Sequence, residues 1–166
     1  MTYCALITVL LILTGCGRKM TTVKAGLVDQ DSSTAALPVS SSDECFDNGL
    51  SLFRAGQDEA AARFFAQAVE ADSTNWKAHY YLGLVYKKRL TQTAALASLH
   101  TALTHAPEHK KDRSLIYLAL GELWEQQGDF SRAQLNYRTA LNLYPGSTRA
   151  LAGLSRVERL SQRIEK

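Results

Sequence analysis

The chain has 166 residues, a net charge of +3 and 46% hydrophobic residues. That is enough for one modest folded domain, and the near-neutral balance excludes a strong bulk attraction for nucleic acid or an anionic surface. Three cysteines do not make a disulfide framework, and no Cys/His spacing suits a metal site.

The first element is the apolar run Ala5 to Leu13. It is too short to span a bilayer, which takes about 20 residues, and its length suits the central part of a signal peptide. Leu13-Thr14-Gly15-Cys16 follows at once. This box resembles the lipobox of bacterial lipoproteins. The resemblance implies cleavage between Gly15 and Cys16, with residues 1–15 leaving as the signal peptide. It also implies acylation of the Cys16 thiol and of its new amino group, so covalent acyl chains are expected and no other cofactor. Two or more chains anchor stably, at about 0.8 kcal/mol per buried methylene. Gly17, where that family places Asp to retain a protein at the inner membrane, implies the periplasmic face of the outer membrane. The leader departs from the usual pattern in one respect, since Met1-Thr2-Tyr3 has no Lys or Arg. With Cys4 removed and Cys16 acylated, Cys45 is expected to be a lone thiol, either a small buried residue or a half of an intermolecular disulfide.

Residues 16–42 hold the acylated cysteine and a linker. Gly17 to Ser42 is rich in Ser, Thr, Ala and Gly, contains Pro38 and has no apolar period. It reads as a flexible tether spanning roughly 25–30 Å.

A repeat occupies residues 43–147. Gly49 and Gly83 lie 34 residues apart, and Gly83 and Gly121 lie 38 apart. Gly49 is followed by Leu52, Gly56, Ala61, Phe65 and Ala68. Gly83 is followed by Tyr86, Ala95, Leu99, Ala102 and Pro107, and Gly121 by Trp124, Gly128, Ala133, Tyr137, Ala140 and Pro145, at the same offsets. The pattern resembles the tetratricopeptide repeat. The resemblance implies an all-α helical-hairpin solenoid of three units, 42–75, 76–109 and 114–147, with a capping helix in 148–166. Helices are expected at roughly 43–55, 58–71, 76–89, 92–105, 114–127, 130–143 and 148–163.

The residue types have physical reasons. A glycine in the first helix of each hairpin and an alanine in the second let the two backbones approach. Gly56 and Gly128 suit the left-handed end of a first helix, Asp58 and Asp129 suit the start of a second, and Pro107 and Pro145 stop it. Leu90 stands where glycine is usual, which predicts a differently built turn with Thr91 as the cap. The four additional residues Lys110 to Arg113 make either a longer basic loop or a longer helix. Ser147 can cap the last helix, whose apolar set is Leu151, Leu154, Val157 and Leu160.

Charge is uneven along the stack. Residues 43–75 carry seven acidic side chains and two basic ones, whereas the last helix carries Arg149, Arg156, Arg159 and Arg163. Such charge is first a solvated face and second a means of steering a partner.

In the resembled family the first helices of successive units line a concave groove. Carried onto this chain, the peptide-binding positions are Phe46, Leu50, Phe53, Tyr80, Leu84, Lys87, Lys88, Leu118 and Glu122. The groove is expected to be apolar and aromatic with a basic wall at Lys87 and Lys88, suited to an extended or helical apolar peptide. The competing reading is that Phe46, Leu50 and Phe53 pack against neighbouring helices. No metalloprotease, phosphate-loop or nucleophile motif occurs, and His79, His100, His105 and His109 are scattered, so no catalytic residue and no enzymatic activity are expected. The resemblance implies a lipid-anchored adaptor for a protein partner in the cell envelope, with no nucleic acid or small-molecule substrate. It points to an assembly factor or pilotin for a pilus or secretion-system secretin, the alternative being a periplasmic scaffold that docks cell-wall hydrolases or proteases.

Overall fold

The computed structural model describes residues 41–164; the leader, Cys16 and the tether up to residue 40 lie outside the described residues. Seven helices follow one another: α1 (Ser42–Arg54), α2 (Asp58–Ala71), α3 (Trp76–Lys88), α4 (Gln92–His105), α5 (Lys110–Gln126), α6 (Phe130–Leu143) and α7 (Thr148–Ile164). There is no strand among the described residues. The helices pair as hairpins α1–α2, α3–α4 and α5–α6, and each hairpin packs chiefly on its sequence neighbours. The fold is an all-α tetratricopeptide-repeat solenoid.

The small residues do what the spacing predicts. A β-carbon on Gly49, Gly83 or Gly121 would come within 2.7–2.8 Å of Phe65, Leu99 or Tyr137. Each glycine is thus the gap into which the large residue of the same hairpin fits. Ala61, Ala95 and Ala133 are fully buried on the facing helices. The first and third hairpins share another device: Ser42 Oγ donates to the Ala68 carbonyl and Ser114 Oγ to the Ala140 carbonyl, both at 2.8 Å. Each hydroxyl is a second donor to a carbonyl that already accepts from the helix's C-cap, Asp72 N–H to Ala68 O and Tyr144 N–H to Ala140 O, both at 2.9 Å.

Three local expectations are corrected. Leu90 does not change its turn: it adopts φ 59° beside φ 76° at Gly56 and Gly128. The hydrogen bonds match as well, with Thr91 N–H donating to Tyr86 O at 3.0 Å and Asp129 N–H to Trp124 O at 3.0 Å. The pull of the hairpin overrides the cost of a left-handed leucine. Thr91 makes no side-chain cap; its hydroxyl donates backward to Tyr86 O. Asp58 is already inside α2, and the capping position is Gln57, which makes no side-chain cap bond. Asp129 and Ser147 do cap their helices, accepting from Arg132 N–H at 2.9 Å and Ala150 N–H at 3.3 Å.

Lys110 to Arg113 add a turn to the start of α5, resolving the two options in favour of the longer helix. On α7 the expected face holds at Leu154 and Val157 but not at Leu151. Ala150, Gly153 and Val157 are buried, while Leu151 is 56% exposed. A spacing of three and four keeps residues on one face of a helix, whereas a spacing of three throughout rotates off it. Cys45 is buried against Ala68 and Ala78 at 2% exposure, as a small apolar residue would be. It is not a lone thiol here: it is disulfide-bonded, and the other two cysteines of the chain, Cys4 and Cys16, lie outside the described residues.

Candidate interaction surface

The first-hairpin end of the stack is aromatic. Phe65 lies under Tyr81 with centroids 5.3 Å apart, nearly parallel, and Phe46 and Phe53 lean on both rings at 5.4–6.4 Å. Tyr80 stands edge-on to Tyr81 at 5.3 Å. Burial, reinforced by neighbouring Tyr81, pushes the Tyr80 hydroxyl up to about 12. Tyr80 and Leu84 also pack against the buried cluster of α4 and α5. The competing reading therefore holds for Phe46 and Phe53, which are half-buried parts of the junction between the first and second hairpins. Leu50 differs: it is half-buried, and among the described residues it packs against none of the buried clusters.

Charge on this side is paired internally. Lys87 on α3 reaches Glu122 on α5, with only 12% of its side chain exposed. Glu122 also accepts from Arg149 of α7 at 2.6 Å. One turn further along α5, Glu125 takes a forked pair of bonds from Arg156, the Nη2 bond at 2.7 Å, and a bond from the Tyr137 hydroxyl at 2.6 Å. Lys88 pairs with Asp58 at 2.8 Å and sits 4.5 Å from the Phe53 ring centre. The expected basic wall is thus engaged by carboxylates of the chain itself. Leu118 does not line a groove: it is 3% exposed and packs with Tyr137, Ala150 and Val157, because α7 closes over that face of α5.

Burial alone would raise the Glu125 carboxyl, but the Arg156 and Tyr137 hydrogen bonds outweigh it and hold the group below its usual range. Its partner Tyr137 is pushed up, first by burial and then by that same bond. The reading of the sequence placed Glu122 in a binding groove and missed the Glu125–Tyr137–Arg156 cluster altogether. A signal was present, since Glu122 and Glu125 share one helix face and Arg149 and Arg156 share another.

At the loop between the first two hairpins, Asp72 accepts from the Thr74 hydroxyl and N–H at 2.7 and 2.9 Å, which lowers its carboxyl pKa. His79 and His105 stack beside it at 6.4 Å. Among the described residues no group of three or more His, Cys, Asp or Glu is placed to hold a metal ion. No described helix is long and apolar enough to cross a membrane.

The described residues thus form paired helices in which Lys87, Arg149 and Arg156 are engaged by carboxylates of the chain and several apolar side chains stay half-exposed. Residues 116–147 match the tetratricopeptide repeat family. The chain is similar to BBSome complex member BBS4 of Xenopus tropicalis, at 30% identity over 119 residues. That stretch is 70% of this chain but only 22% of the relative's length. Among solved structures it is similar in fold to the Sgt2 tetratricopeptide-repeat domain of Aspergillus fumigatus, with a TM-score of 0.67, 17% identity and 82% of this chain and 87% of that one covered. It is also similar to the Yersinia enterocolitica type III secretion chaperone SycD in complex with a peptide of the translocator YopD, with a TM-score of 0.63, 15% identity and 72% and 93% coverage. Tetratricopeptide-repeat proteins are generally non-enzymatic scaffolds for protein interaction, and nothing in these similarities indicates catalysis.

Proposed function

We propose that this protein is a lipid-anchored adaptor of the bacterial cell envelope that grips another polypeptide, and that it serves as an assembly factor or pilotin for a pilus or secretion-system secretin. The observation that carries the reading is the order of its parts: Leu13-Thr14-Gly15-Cys16 after an apolar run, a Ser/Thr-rich tether, then a tetratricopeptide-repeat solenoid. In this reading Cys16 carries the acyl chains and the protein sits on the periplasmic face of the outer membrane. The partner meets the apolar strip that starts at Leu50 and continues over the exposed parts of Phe53 and Tyr80. That a similarly folded secretion chaperone holds a translocator peptide supports a peptide as the thing held.

Affinity purification of the full chain from detergent-solubilised membranes, read by mass spectrometry, tests partner and anchor together. A secretin or pilus component and an acylated Cys16 peptide are expected. Cell-wall hydrolases in their place would select the envelope-scaffold alternative, and an unmodified Cys16 would overturn the anchor.

A further inference from the structure

The stack is electrically polar from end to end. Residues 43–75 hold seven acidic and two basic side chains, while residues 148–164 hold Arg149, Arg156, Arg159 and Arg163 against Glu158 alone. The placement of these groups matters more than their number. On α1, Asp43 and Asp47 are one helical turn apart and exposed, opposite the face that buries Cys45 and Gly49. On α7, Arg159 and Arg163 are exposed and also one turn apart. Arg149 and Arg156 are drawn inward to Glu122 and Glu125, but Arg159 and Arg163, like Asp43 and Asp47, have no ion-pair partner among the described residues.

Within one chain these two charged faces do not meet. In this one-dimensional stack α1 packs on α2, and α7 packs on α6 and α5. Among the described residues, no further helix packs on the outer side of either end helix. We propose that the occupant of the basic α7 face is the acidic α1 face of a second copy, so that copies associate head to tail. The contact joins two different patches of the same molecule, so nothing closes it after one step and it extends into a row. Asp43 lies in the first turn of α1 and Arg163 in the last turn of α7, where each helix's own dipole suits the charge it carries. Exposed ion pairs are individually weak and salt-sensitive, so the association belongs at high local concentration, and low salt strengthens it. This inference is independent of which partner the apolar strip holds.

Sedimentation velocity of the full chain in non-ionic detergent micelles tests it, over a concentration series at about 0.01 M and about 1 M salt, where the Debye length is about 30 and about 3 Å. The expected result is a mass average that climbs past that of a dimer with concentration at low salt and stays monomeric at high salt. Arg159→Glu with Arg163→Glu should abolish the climb, as should Asp43→Lys with Asp47→Lys. The chain carrying all four changes should recover it, because the charges are exchanged rather than removed. Circular dichroism confirms that each variant keeps its helices, and Asp43→Asn with Asp47→Asn is the gentler substitute if the lysines unfold α1. A single monomeric species throughout, association that survives salt and both reversals, or a fourfold variant that stays monomeric would each overturn the proposal.

Discussion

The Tyr137 hydroxyl on α6 donates to the Glu125 carboxylate on α5 at 2.6 Å, and the same carboxylate receives Arg156 from α7. Three consecutive helices therefore share one side chain, and the capping helix is joined to the last hairpin by charge as well as by packing.

Glu125→Gln keeps the shape but weakens the Arg156 link, and should cost about 1–2 kcal/mol, the lower part of the range for bonds to charged groups because Arg156 is half exposed. The sign with pH follows from the lowered Glu125 pKa. Its stabilising contribution is complete above the ordinary value of 4.5 and is lost as pH falls through the lower folded value. Tyr137 acts in the opposite sense. Its raised pKa favours the protonated hydroxyl, so its contribution is complete below the ordinary value of 10.0 and declines as pH rises above it. Urea midpoints measured from pH 3 to 6 should therefore fall less steeply toward acid in Glu125→Gln than in the parent (about the range where carboxylates titrate); an unchanged slope would remove Glu125 from the account.

Tyr137 is held between two glycines. A β-carbon on Gly121 would lie 2.8 Å from its ring, and one on Gly153 2.5 Å from it. Gly121→Ala and Gly153→Ala should each destabilise by about 1–3 kcal/mol through overpacking. Gly153→Ala should in addition loosen α7, seen as faster amide exchange in residues 148–164 than in α5. Equal exchange throughout would mean that α7 and the last hairpin open as one unit.

Leu90 occupies a left-handed turn with 73% of its surface exposed. Glycine there relieves a strain of about 1–2 kcal/mol but frees the unfolded chain by about 0.4–1 kcal/mol. Leu90→Gly should therefore raise stability by about 0.5–1 kcal/mol, a rise of a few degrees in Tm. A lower Tm on scanning calorimetry would show that Leu90 contributes packing that its exposure does not suggest.

Partner capture and stability separate at Leu50. Phe53→Ala removes a ring from the Phe46–Phe65–Tyr81 group and should cost about 1–3 kcal/mol, less than the full loss of a buried aromatic. Leu50→Glu touches no buried cluster among the described residues and should leave stability within about 1 kcal/mol of the parent while abolishing co-purification of the partner. Undiminished capture by Leu50→Glu would move the binding surface elsewhere.

Anchoring is tested at Cys16. Cys16→Ser should eliminate incorporation of labelled palmitate and release the protein from the membrane fraction. Palmitate in the serine variant would refute the processing scheme.

The helical scaffold was legible because it rests on local rules. Glycine facing Phe65, Leu99 and Tyr137, alanine at the crossings and proline after the second helix recur at fixed offsets. Those residues meet within a single hairpin, where sequence spacing and spatial distance are tied together by the helix repeat. Leu90 shows the limit of that logic. The residue type argued for another turn, but hairpin packing and the Thr91-to-Tyr86 bond imposed the same left-handed one.

The surface was less legible because it depends on which hairpins face each other. Phe53, Tyr80 and Leu118 read as groove positions; the first two prove to be half or more engaged at junctions between hairpins, and Leu118 is covered by α7. By itself the sequence determined seven helices in paired order, with the small residues that let them touch. Only the tertiary structure decided that Lys87, Arg149 and Arg156 converge on Glu122 and Glu125. Long side chains meet across repeats only where the curvature of the stack brings their tips together, and the residue spacing within a hairpin does not specify that curvature.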